Sequence, residues 1–185
     1  MNTSLQTHQL VRRSMGCLPV FQYRVVPVPL GLHHPVVVND GGFAPNPFHG
    51  LCTLACCKPK IRAGAAVGDM IVGLSSRSER IVYAMRVDRV LSFADYWSDP
   101  TYAAKRPQWR SDRELDRCGD NIYRPGRDRT FSQLPSYHSR DDGKEHPRRM
   151  AKDLRGEVVL VAERFVYFGA SGPPRPAELA FLKTG

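Results

Sequence analysis

The stretch KPKIRAGAAVGDMIVGL, Lys58 to Leu74, decides how the chain is read. A short basic segment runs into Gly68-Asp69, and that pair runs directly into an apolar run. Gly tolerates the positive φ of a tight corner, and Asp is a common turn residue. The pair therefore predicts a corner that launches a buried strand, MIVGL (70–74). Just before it, IRAGAAV (61–67) suits one or two helical turns. Just after it, SSRSER (75–80) reads as a hairpin loop and RIVYAMRVDRVLSF (80–93) as the return strand. Val82 and Ala84 then face one side, with Tyr83, Met85 and Val87 on the other.

Outward from this hairpin the pattern stays mixed. FQYRVVPVPL (21–30) predicts a first strand, which Pro27 and Pro29 confine to an edge. VVVNDGGFAPNPFHG (36–50) predicts a short Val strand, an Asn-Asp-Gly-Gly turn and a Pro-broken loop. HGLCTLACC (49–57) can form a short helix with His49, Cys52 and Cys56 on one face, stopped by Pro59. Ser92 is placed to cap a helix carrying Asp95, Tyr96 and Trp97. EVVLVAERFVYFG (157–169) returns to the core as one or two strands. Between them, residues 101–155 hold fourteen Lys/Arg against nine Asp/Glu and are broken by four prolines, which predicts a long, irregular basic excursion. Short strands with Gly/Pro corners and little helix favour an α+β fold built on a small, partly open β-barrel. Residues 1–20 read as a loose extension and 21–185 as a single domain.

With 185 residues and 42 % hydrophobic content, the chain can build one real core but not two comfortable ones. No apolar run approaches the roughly 20 residues of a membrane helix, and no secretory signal pattern is present. A cytoplasmic location is expected. Five cysteines, two of them adjacent at 56 and 57, argue against a disulfide framework. The formal charge of +9 points to a polyanionic partner, most simply nucleic acid, although a basic surface also serves solubility.

His49, Cys52, Cys56, Cys57 and Cys118 form one C-x3-C with a doublet, not the paired spacing of structural zinc, so buried thiols are the simpler reading and no metal or cofactor is expected. For a Cys nucleophile, no His or Asp stands at a spacing that recommends itself. Tyr96-Trp97, Tyr102, Trp109, Tyr123 and Tyr167-Phe168 lie at element ends or beside Arg and Lys, the pattern by which rings stack bases while cations hold phosphates; some must be ordinary core. For Asp69 the turn is explanation enough. Asp120-Asn121, followed by Ile122-Tyr123, is the better candidate for base-edge contacts.

The segments APNPF-x-G (44–50), CTLA-x-CKP-x-IR (52–62), GD-x-IVG (68–73), YAM-x-V (83–87), YW (96–97) with K-x-P (105–107), GDNIY (119–123) and RF-x-YFG (164–169) resemble, in order, the second of the nucleotide-modification-associated domains of bacteria and phages. The resemblance runs from residue 22 to about 176. It implies work beside enzymes that make or handle modified bases in DNA. The GD-x-IVG corner is similar to the strand-opening turn of PUA, ASCH and EVE-type barrels, which hold a base in a cleft. Carried onto this chain, the motif's polar and aromatic members are Asn46, Lys58, Arg62, Trp97, Lys105, Asp120, Asn121 and Tyr123. Met70 departs from the aromatic that the family favours after Gly-Asp. The implied role is a module that binds DNA or a modified nucleotide, with modification enzymes as further partners. The alternative is an enzyme acting on a base or nucleotide, with Asp120 as general base or Cys57 as nucleophile.

Overall fold

Gly68 adopts φ 99°, and its N–H donates to Val87 O, so the corner at 68–69 forms as expected. Asp69 closes it from the side, accepting from Ala66 N at 3.0 Å and pairing with His33 Nε2 at 2.8 Å. The computed structural model describes residues 31–33, 36–37, 42, 44–76 and 80–182. The expected extension at 1–20, the strand at 21–30 and the turn at Asn39-Asp40 lie outside the described residues.

The corner launches β4 (Met70–Ser75), which pairs antiparallel with β5 (Ile81–Arg86). Two short strands, β1 (Leu32–His33) and β2 (Val36–Val37), lie parallel to β4, and β10 (Arg164–Tyr167) completes this five-stranded sheet on β5. A second sheet has the order β3 (Cys52–Leu54), β9 (Val158–Ala162), β6 (Arg89–Ser92). Its central strand is apolar throughout because both faces are covered. Leu160 and Ala162 pack with Ile71, Met85 and Cys52 against the first sheet; Val159 and Val161 pack on the other face with Phe93, Tyr96, Ile122 and Tyr123. Among the described residues the fold is mixed α+β, with several sheets and short helices, and no sheet closes into a barrel.

Ser92 caps α2 (Phe93–Ser98), accepting from Asp95 N at 3.0 Å. The basic excursion carries more order than its composition predicts: a 3-10 turn at Pro100–Lys105, α3 (Glu114–Arg117), a hairpin of β7 (Tyr123–Pro125) and β8 (Phe131–Gln133), and α4 (Pro147–Leu154). The return strand expected over 80–93 is split between the two sheets as β5 and β6, and the helix expected over 49–57 does not form. Residues 52–54 are a strand rather than part of a helix, because Cys52, Thr53 and Leu54 pair with β9 in a fully buried sheet. Pro59 opens α1 (Pro59–Gly64) instead of stopping a helix, at a position where its missing N–H costs nothing. Among the described residues no helix is long and apolar enough to cross a membrane.

Candidate active site

The chain leaves β3 at Leu54 and reaches α1 through two consecutive residues in the left-handed region, Cys57 at φ 57° and Lys58 at φ 44°. Neither is glycine, so this link is strained, and it is held from outside. Buried Arg62 reaches back from α1 and donates to Cys57 O at 2.9 Å, to Val158 O at 2.6 Å and to Asp153 O. Asp153, in the last turn of α4, accepts the Cys57 N–H at 2.7 Å through Oδ1. Backbone and side chain together fix where the Cys57 thiol points.

The thiol meets His138. Cys57 Sγ lies 3.4 Å from His138 Nε2, and His138 Nδ1 lies 2.5 Å from Asp153 Oδ2. Tyr123 OH donates to the same Oδ2 at 2.6 Å. Asp153 and Tyr123 are fully buried, His138 nearly so, and Cys57 is half-exposed. The order is thiol, imidazole, carboxylate, with the carboxylate fixed by two further donors, the Tyr123 hydroxyl and the Cys57 N–H.

Electrostatics agrees with the geometry. Burial alone would lower the His138 pKa, but its bonds to Asp153 and Cys57 outweigh that and raise it to about 9. Burial would raise the Asp153 carboxyl, yet the His138, Tyr123 and Cys57 N–H bonds keep it below its ordinary value. Near neutral pH the site therefore holds an imidazolium against the Asp153 carboxylate, with its Nε2 facing Cys57 Sγ.

Cys56, His138 and Asp153 also offer three atoms within 4.8 Å of one another that could ligate a metal. The chemistry of that set does not suit an ion. The carboxylate and Nδ1 are spent on each other, and burial beside Asp153 and Asp120 pushes the Cys56 thiol well above its ordinary pKa, against the thiolate a metal needs.

The eight residues expected at a site divide sharply. Asn46, Arg62, Lys105, Asp120, Asn121 and Tyr123 are all buried and bonded within the protein. Lys105 Nζ donates to Asn46 O and Oδ1, Phe48 O and Leu51 O, with burial lowering its pKa to about 8. Asp120 accepts from Thr53 Oγ1 at 2.9 Å, Ala55 N at 3.1 Å and Tyr96 OH at 2.7 Å. Asn121 Nδ2 donates to Tyr96 O and Tyr102 O. This network ties the excursion to β3 and α2. Trp97 is half-buried, with the Arg106 guanidinium 4.2 Å over its ring. Only Lys58, Arg62 and Tyr123 adjoin the Cys57 cluster. Tyr137, exposed and next to His138, meets Trp109 edge to face at 5.4 Å.

His138 and Asp153 escaped the sequence reading. They stand 81 and 96 residues from Cys57, a distance over which spacing says nothing. The one local clue was a cysteine directly ahead of Lys-Pro, a site where a helix begins.

Neither a curated protein nor a solved structure matches the chain. A family model does, over residues 31–185, nearly the whole of what the motifs marked out. The chain belongs to the family described as nucleotide modification associated domain 2.

Proposed function

We propose that this protein is a cysteine-nucleophile enzyme of a nucleotide-modification system, acting on an acyl or amide group carried by a nucleotide or base. The observation that carries this reading is the aligned set Cys57 Sγ, His138 and Asp153, at 3.4 and 2.5 Å. The Cys57 thiolate attacks the carbonyl carbon. A carbon–sulfur bond forms, the carbon–nitrogen or carbon–oxygen bond breaks, and the leaving group departs with the proton that His138 held. Water then attacks the thioester, gives His138 a proton and frees the acid and the thiolate. Asp153 holds the ring in the tautomer that presents Nε2 to sulfur. Asp120 suits the role of base poorly, since three internal donors occupy its oxygens.

Base recognition in a PUA-like manner fits as the binding half of this function. The Trp109–Tyr137 ring pair next to His138, with Arg149 donating to Tyr137 O, supports that half. The test is incubation with p-nitrophenyl acetate and with DNA containing N4-acetylated cytosine, followed by intact-mass analysis. An acetyl group on Cys57 that turns over, and that Cys57→Ser and His138→Asn abolish, is the expected result. Selective binding of modified DNA with no adduct and no product would replace the enzyme with a reader.

A further inference from the structure

The helix that carries Asp153 has three faces. In α4 (Pro147–Leu154), Met150 and Leu154 pack into the core, while buried Asp153 turns toward Cys57 and His138. The third face is exposed. It holds Arg148 and Lys152, four residues apart, and Arg155, which keeps helical angles just past the end of α4. Offsets of four and seven residues set these three cations in one stripe about 10 Å long. We propose that this stripe is the docking face for a single strand of DNA, holding its phosphates while a base enters the site at Cys57.

The docking face deepens the proposed function: the fate of the bound base rests on that reading, and its carriage in a strand is new. Among the described residues Arg148, Lys152 and Arg155 make no ion pair. Like charges four residues apart on a helix repel, and a cation in the first turn opposes the helix dipole. Helix α4 has both, with no acidic residue in its first turn. Its one carboxylate, Asp153, is spent inward on His138 and Tyr123. The stripe thus costs the helix stability, and an incoming polyanion relieves the repulsion.

A single strand follows from what adjoins the stripe. Arg149 lies on the flank between the stripe and Asp153, and donates to Tyr137 O at 3.0 Å and Ser139 O at 3.4 Å. It ties α4 to the loop that bears His138 and to the ring pair of half-buried Trp109 and exposed Tyr137, 5.4 Å apart. Cations beside aromatic rings are what single strands use, phosphates on the one and unpaired bases on the other. A base within a duplex would first have to leave its stack to reach Cys57.

The experiment titrates the full chain, as Cys57→Ser, against a short DNA strand, its duplex and the RNA strand of the same sequence, over a range of salt. The DNA strand should bind tightest. Arg148→Gln, Lys152→Gln and Arg155→Gln combined should cut the log–log salt slope by about 2, at about 0.7 per phosphate, and weaken binding about ten-fold or more. Arg127→Gln, exposed at the β7–β8 turn, should change both far less. All these side chains are exposed, so melting temperatures should stay close to the parent's. Trp109→Ala should weaken binding about five-fold or more. In wild type the strand should slow alkylation of Cys57 by iodoacetamide, at concentrations where a nucleoside 5′-monophosphate does not. Tighter binding of the duplex or the RNA overturns the single-stranded DNA assignment. A triple variant that loses no more than Arg127→Gln overturns the docking face. A strand that binds yet leaves Cys57 alkylation unchanged separates the face from the site and overturns the substrate claim. Binding and protection as expected, without turnover of an acetyl group on Cys57, uphold the docking face and overturn only the chemistry.

Discussion

Cys57 and Lys58 hold backbone angles that cost roughly 1–3 kcal/mol each for residues with a Cβ. Arg62, Asp153 and Tyr123 offset that cost through bonds to Cys57 O, Cys57 N and the carboxylate itself. Two of these three, Arg62 and Tyr123, stood among the residues singled out by motif. Their role as supports could not be read there, because their partners come from β9 and α4. Tyr123→Phe removes one donor from Asp153 and should cost about 1–1.5 kcal/mol of stability, with a several-fold slower Cys57 alkylation, checked by denaturant melts and peptide mapping. His138 offers a pH test with a defined sign. Its pKa rises from an ordinary 6.5 to about 9, so its contribution to stability is complete below 6.5 and is lost as pH climbs through 9. Wild type should therefore lose stability relative to His138→Asn between those values. Taking the difference cancels Lys105, whose lowered pKa acts in the opposite direction at alkaline pH. A stability difference flat from pH 6.5 to 9 contradicts the charged pair.

At the scale of elements, the corner at Gly68 was legible because its cause is local: one residue with φ 99° ahead of an apolar run. Gly68→Val places a β-branched residue in that conformation and should destabilise by more than about 1 kcal/mol, read as a lowered melting temperature. Residues 52–54 misled for an equally physical reason. A three-residue strand inside a sheet covered on both faces shows no alternation, and Cys and Leu suit helix as well. Gly156 makes a sharper test of the site's scaffold. The Arg62 guanidinium lies directly against it, and a Cβ there would displace that group. Gly156→Ala should thus both lower stability and slow Cys57 alkylation, whereas a stability loss alone would show that Arg62 does not position the thiol.

At the scale of the whole molecule, the sheets supply the core and the basic excursion brings His138, Asp153 and Tyr123 to Cys57. Composition marked residues 101–155 as a basic excursion, and His138, Asp153 and Tyr123 all come from that segment. Composition could not show that the segment returns to the end of β3, since that contact needs the tertiary fold. Its exposed cations should also bind polyanions. Affinity for duplex DNA should fall with salt at a log–log slope of about −0.9 per phosphate neutralised. An affinity that ignores salt would remove DNA, though not a nucleotide, from the partners. The central claim is narrower: Cys57 is made reactive by His138. Its most direct test is the rate constant for iodoacetamide on Cys57 at pH 6.5, in wild type and in His138→Asn. The expected result is a wild-type rate well above that of glutathione and a fall of about ten-fold or more in the variant, which has no imidazole beside Cys57 Sγ. Equal rates in the two proteins, with the fold intact, would contradict it.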